Sequence, residues 1–243
     1  MRGENVKSSI WLLILVIIFG FIYFPFHSFP VGDWREFIIG RYYFFNGRRE
    51  KAEKEFEIAL RKHPEQSEIV AQIALFYLNM GKLEKAEDAL KKAIRRKPSF
   101  DLYYLLGNCQ LAAGKREEAE KSFAKAVELE PSNPYALNNL AYIWVEEDKR
   151  LEEAVELLKR AVRKSKSPEI LDSLGWAYVK LGEVEKGLKL LKVAVERNPT
   201  NWEIRYHLSV AYEKMGNHPS AKVEEAKAKI LFNREKGLGS GLL

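Results

Sequence analysis

PEILDSLGWAYVKLGEVEKGLKLLKVAVERNPTN, residues 168–201, decides how the whole chain is read. Two helical patterns, each about a dozen residues long, flank Gly182, and Pro199 closes the second. Gly187 stands where a small residue must sit. The stretch is one helix-turn-helix unit. Its landmarks recur on both sides. The turn position reads Gly47, Gly81, Gly114, Asp148, Gly182 and Gly216, at spacings of 34, 33, 34, 34 and 34 residues. The small position after it reads Ala52, Ala86, Ala119, Ala154, Gly187 and Ala221, and the closing prolines are Pro64, Pro98, Pro131 and Pro199. One helix pair cannot bury its apolar face alone, so repetition at this period predicts stacked pairs in a solenoid.

The landmarks Leu174-Gly175, Tyr178, Leu191 and Ala194, and in another copy Leu106-Gly107, Ala119, Phe123, Ala126 and Pro131, resemble the tetratricopeptide repeats. The resemblance implies an all-α, right-handed α-solenoid of about six repeats, near residues 33–66, 67–99, 100–133, 134–167, 168–201 and 202–232. Repeat four departs from the pattern by one extra residue in its turn and no closing proline at the expected place. Glu225 replaces the apolar residue in the last copy, as suits a terminal repeat whose outer face meets water. Members of this family bind proteins in many unrelated pathways, so the resemblance implies a protein or peptide partner and leaves the pathway open.

With 243 residues, 47% of them apolar, the chain can bury a substantial elongated core. Its net charge of +6 is spread over both signs. Basic ends of second helices, Lys91, Lys92, Arg95, Arg96 and Lys97 and again Lys159, Arg160, Arg163, Lys164 and Lys166, read as solvated faces that complement helix C-termini. Glu117, Glu118, Glu120, Glu152 and Glu153 interleave with them, which argues against a nucleic-acid track. Cys109 alone excludes an internal disulfide and a cysteine metal cluster, and reads as packed rather than nucleophilic. The four histidines, His27, His63, His207 and His218, lack metal-ligand spacing. No Gly-rich phosphate loop or Gly-x-Ser-x-Gly appears. The expectation is a non-enzyme with no catalytic residue, metal, cofactor, nucleic acid or small-molecule substrate.

Residues 10–26, IWLLILVIIFGFIYFPF, carry no charge and predict a transmembrane signal anchor between an N-terminal flank, 1–9, and a linker, 27–32. A cleaved signal peptide and a buried helix are the competing readings, but the apolar run exceeds a usual signal core and no small-x-small pair follows it. Arg2 and Lys7 favour an N-terminus in the cytoplasm, with the repeats, 33–232, periplasmic or otherwise extracytoplasmic and a flexible tail at 233–243. On this reading the lipid bilayer is a partner through residues 10–26. The first helix of repeat one is apolar nearly all round. Trp34, Phe37, Phe44 and Phe45 there either pack within the repeats or touch headgroups or a partner's helix near the membrane.

In tetratricopeptide domains the first helices line the concave surface. Carried over by template position, that face gives Tyr104 and Asn108 in repeat three and Tyr135, Asn138, Asn139 and Tyr142 in repeat four. Repeat five gives Asp172 and Trp176, and repeat six Tyr206 and His207. Glu146 and Glu203 share the same positions. Tyrosine and tryptophan supply contact area at low entropy cost, and asparagine can pair both groups of a peptide unit. The lysines and arginine by which some members clamp acidic chaperone tails are replaced here, Glu169 and Ser173 standing at two of those positions. The resulting expectation is a membrane-anchored interaction scaffold in assembly of a cell-envelope complex. The alternatives are a cytoplasm-facing adaptor that recruits a soluble enzyme or protease, an accessory subunit of an enzyme, and lipid or nucleic-acid binding through the basic second helices.

Overall fold

A computed structural model describes residues 34–237. They form twelve helices: α1 (Arg35–Phe45), α2 (Arg49–Lys62), α3 (Ser67–Asn79), α4 (Leu83–Arg96), α5 (Phe100–Ala112), α6 (Arg116–Leu129), α7 (Pro134–Glu146), α8 (Leu151–Lys164), α9 (Pro168–Lys180), α10 (Val184–Arg197), α11 (Trp202–Lys214) and α12 (His218–Glu235). They divide between two compact units, Met1–Pro98, which holds α1 to α4, and Ser99–Leu243, which holds α5 to α12.

The repeat boundaries follow from local chemistry. Four first helices of the C-terminal unit begin at a polar cap: Ser99, Asn133, Ser167 and Asn201 accept from backbone N–H groups of the first turn. A cap of this kind satisfies donors that the helix cannot. Each pair then turns through a left-handed residue. Gly182, at φ +85°, lets the Glu183 N–H reach back to the Tyr178 carbonyl at 2.9 Å. Repeat four lacks that glycine, and its extra residue places both Asp148 (φ 51°) and Arg150 (φ 49°) in the left-handed region.

Between the helices of each pair the small residues set the spacing, and large apolar side chains close the space on either side. In the C-terminal unit Phe123, Ile143, Leu158 and Leu191 are fully buried within one core, and Trp144 packs among them. Gln110 accepts from the buried Ser122 hydroxyl at 2.6 Å, so this polar pair carries no unpaired cost. Cys109 is buried and free of a disulfide. In the last helix Ala221 and Ala228 face inward, while Glu225 is exposed and Val223 and Ile230 are more than half exposed. That helix continues to Glu235, past residue 232.

In the N-terminal unit aromatic rings supply the core. Phe56, with no exposed area, stacks on Phe76 at 5.0 Å, and Phe37, 2% exposed, lies 6.2 Å from both. Trp34 meets Phe37 at 5.4 Å, Phe44 meets Phe76 at 4.7 Å and Phe45 meets Phe44 at 5.5 Å, so all four aromatics considered for membrane contact make ring contacts inside the unit. Phe45 remains 72% exposed.

The expected transmembrane helix requires correction. Among the described residues no helix is long and apolar enough to cross a membrane. The physical reason is length and charge: the longest described helix has 18 residues, and even apolar α1 carries Arg35, Glu36 and Arg41. Residues 10–26, to which the anchor was assigned, lie outside the described residues, as do 1–9, 27–32 and the end of the tail. The described helices give no support to a single-pass topology, an extracytoplasmic placement or a bilayer contact.

Candidate partner-binding site

The ten residues placed on the concave face all belong to first helices of the C-terminal unit, α5, α7, α9 and α11. Their positions differ in depth. Tyr135 and Tyr206 are about half exposed, and Tyr104, Asn108, Asn138, Asn139 and Tyr142 are partly buried. Asp172, Trp176 and His207 are buried.

Three asparagines form an amide ladder across α5 and α7. Asn138 Nδ2 donates to Asn139 Oδ1 at 3.3 Å, and Asn139 Nδ2 donates to Asn108 Oδ1 at 3.0 Å. The ladder uses only part of each amide's capacity. Asn138 Oδ1 is screened from solvent and accepts no hydrogen bond, a buried polar atom that the ladder leaves unsatisfied.

Beside it, α7, α9 and α11 share a second network. Trp176 Nε1 donates to Glu146 Oε1 at 2.9 Å, and the indole stacks on the His207 ring at 4.4 Å and 9°. His207 Nδ1 lies 3.0 Å from both Asp172 oxygens. Burial pulls the His207 pKa down, but the Asp172 carboxylate, with Glu203 and Glu146 beyond it, outweighs burial and holds it above the ordinary value. Lys180 lies over the Trp176 ring at 5.3 Å and pairs with Asp148 at 2.9 Å.

The Tyr142 hydroxyl donates to Glu203 Oε1 at 2.7 Å, joining repeats four and six across repeat five. Burial raises the phenol's pKa, and the Glu203 and Glu146 carboxylates raise it further, so the hydroxyl stays a donor at any ordinary pH. Trp176, His207 and Asp172 therefore form a wall, while the amide ladder and the exposed tyrosines remain open to a ligand. Template position brings Glu146 and Glu203 onto this face, but their bonds to Trp176 and Tyr142 have no sequence signal.

Repeated helix pairs with left-handed turns and a polar, aromatic face on their first helices define a tetratricopeptide solenoid. Residues 34–238 match the family model of the cilia and flagella-associated protein 70 C-terminal domain, and the chain belongs to that family. It is 36% identical over 80 residues to TPR repeat-containing protein PA4667 of Pseudomonas aeruginosa. The match takes 32% of this chain and spans only 13% of that relative's length. Among solved structures, MamA (41-end) from Desulfovibrio magneticus RS-1 is similar, with a TM-score of 0.57 and 22% identity over 69% of this chain and 96% of that one. YrrB, reported as a TPR protein with an unusual peptide-binding site, has a TM-score of 0.56 and 22% identity, covering 76% of this chain and 95% of its own. At such identities the likeness is one of fold.

Proposed function

We propose that the protein is an interaction scaffold that holds an extended segment of a partner protein against the first helices of its C-terminal unit. The observation that carries this reading is the amide ladder. Beyond the ladder's own bonds, the Asn108 and Asn139 amides keep donor and acceptor capacity, the complement of a peptide unit. Tyr135 and Tyr206, about half exposed, flank it with rigid contact area. The peptide-binding site reported for YrrB, on the same fold, lends support by analogy.

The reading is of binding without catalysis. The Asp172–His207 pair is capped by the Trp176 ring, and the neighbouring Ser173 hydroxyl donates to the Glu169 carbonyl of its own helix. An envelope-assembly setting depended on the membrane anchor and goes with it.

The test uses accessible residues, because alanine at buried Trp176 would also disturb the wall. The triple variant Asn108→Ala, Tyr135→Ala, Asn139→Ala should keep its helical circular dichroism and lose partner capture in a crosslinking pull-down. Capture at the wild-type level by the folded triple variant would place the partner elsewhere.

A further inference from the structure

Consecutive repeats of the C-terminal unit are latched at one recurring point. The carbonyl that closes one repeat accepts from an arginine of the next: Pro131 from Arg160 at 2.6 Å, Lys166 from Arg197, and Pro199 from Arg205 at 2.7 Å. Between the two repeats of the N-terminal unit the equivalent carbonyl is that of Pro64. Arg96 stands ten residues after Ala86, as Arg197 stands ten after Gly187, yet among the described residues no arginine donates to Pro64.

Where that latch is missing, α2, α3 and α4 surround an open cleft of about 600 Å³. Leu60, Val70, Ala89 and Ala93 give it an apolar floor. Its rim is charged but not balanced. Glu57 pairs with Lys85 at 2.8 Å and Asp88 with Lys92 at 2.6 Å, while Arg61 and Arg96 have no acidic partner among the described residues. The cleft thus carries a surplus of two positive charges, both on guanidinium groups. Its size is that of sites which enclose small ligands.

We propose that the cleft between α2 and α4 is a second docking site, for a short partner segment in which an acidic side chain stands beside aliphatic ones. Charge complementarity names the first half of that ligand: a guanidinium matches a carboxylate in a two-bond fork, and two unpaired guanidiniums line this cleft. The apolar floor names the second half, since a bare anion would leave Leu60 and Ala93 uncovered. The site lies wholly in the N-terminal unit, on α2, α3 and α4, and shares no residue with the concave face in the other unit.

The experiment pans a random short-peptide phage library against the full chain and measures selected peptides by fluorescence polarisation. The expected peptides carry aspartate or glutamate next to leucine, isoleucine or valine. The exposed double variant Arg61→Gln, Arg96→Gln should keep its circular dichroism and bind them about tenfold or more weakly. The concave-face triple variant should bind them as wild type does. Selected peptides without an acidic residue, or affinity unchanged in the double arginine variant, would overturn the proposal. So would competition by inorganic phosphate as effective as that by unlabelled peptide, which would mark a small-anion site.

Discussion

Replacing Gly187 by alanine should destabilise the C-terminal unit although it improves helix propensity. A Cβ built there would lie 2.6 Å from the Gly175 carbonyl oxygen, 2.6 Å from Val179 Cγ2 and 3.2 Å from the Val179 nitrogen. Two of those atoms are backbone, so no rotamer change relieves the clash, and α9 and α10 must move apart. Separation opens space around Leu191 and Val179, both with no exposed area. Overpacking of this kind costs about 1–3 kcal/mol. Alanine's better propensity returns about 0.8–1 kcal/mol, so the net loss expected is about 0–2 kcal/mol. Other repeats tolerate alanine at this position, and repeat five alone pairs glycine with glycine. The assay is urea unfolding followed by far-ultraviolet circular dichroism, with the denaturant slope checked for equality. Gly182→Ala serves as a contrast: its Cβ would meet nothing within 4 Å, so any loss there reflects φ +85° and not crowding. A Gly187→Ala protein more stable than wild type would refute the packing argument.

Because His207 has its pKa raised on folding, its pairing stabilises the fold fully below the unfolded value, near 6.5, and the benefit is lost as pH rises through the folded value. Unfolding free energy should therefore fall with rising pH above about 6.5, by at most about 1.4 kcal/mol per pH unit, and Asp172→Asn should remove or reverse that slope. Tyr142→Phe keeps the ring but removes the hydroxyl bond to Glu203, and should cost about 1 kcal/mol in denaturant unfolding. Phe56→Ala empties the middle of the ring cluster in the N-terminal unit and should cost about 3–5 kcal/mol, visible as lost amide-exchange protection in α1 to α4.

The period and the turns were legible because their causes are local. Gly47, Gly81, Gly114, Gly182 and Gly216 all adopt the positive φ that their place in the repeat demands, and Asp148 takes it too, at 51°. Depth on the concave face was not legible. Template position puts Asp172, Trp176 and His207 on that face, but burial is decided by what stacks on them, here the indole on the imidazole across neighbouring repeats. The bond from Tyr142 to Glu203 spans 61 residues, and the arginines that latch the closing carbonyls come from different repeat positions, Arg160 and Arg205 among them. Such contacts depend on how repeats stack, which no window of one repeat contains. The apolar run at residues 10–26 invited a membrane assignment by composition, whereas the described helices are short and charged.

Site-specific photocrosslinking tests the concave-face account most directly. A benzophenone amino acid would replace Tyr135 on α7 in one protein and Glu156 on α8, whose side chain is 69% exposed, in another. The account predicts a partner adduct from position 135 that is lost when Asn108→Ala and Asn139→Ala are added, with none from position 156. An adduct from position 156 alone, or one from position 135 that survives loss of both asparagines, would contradict it.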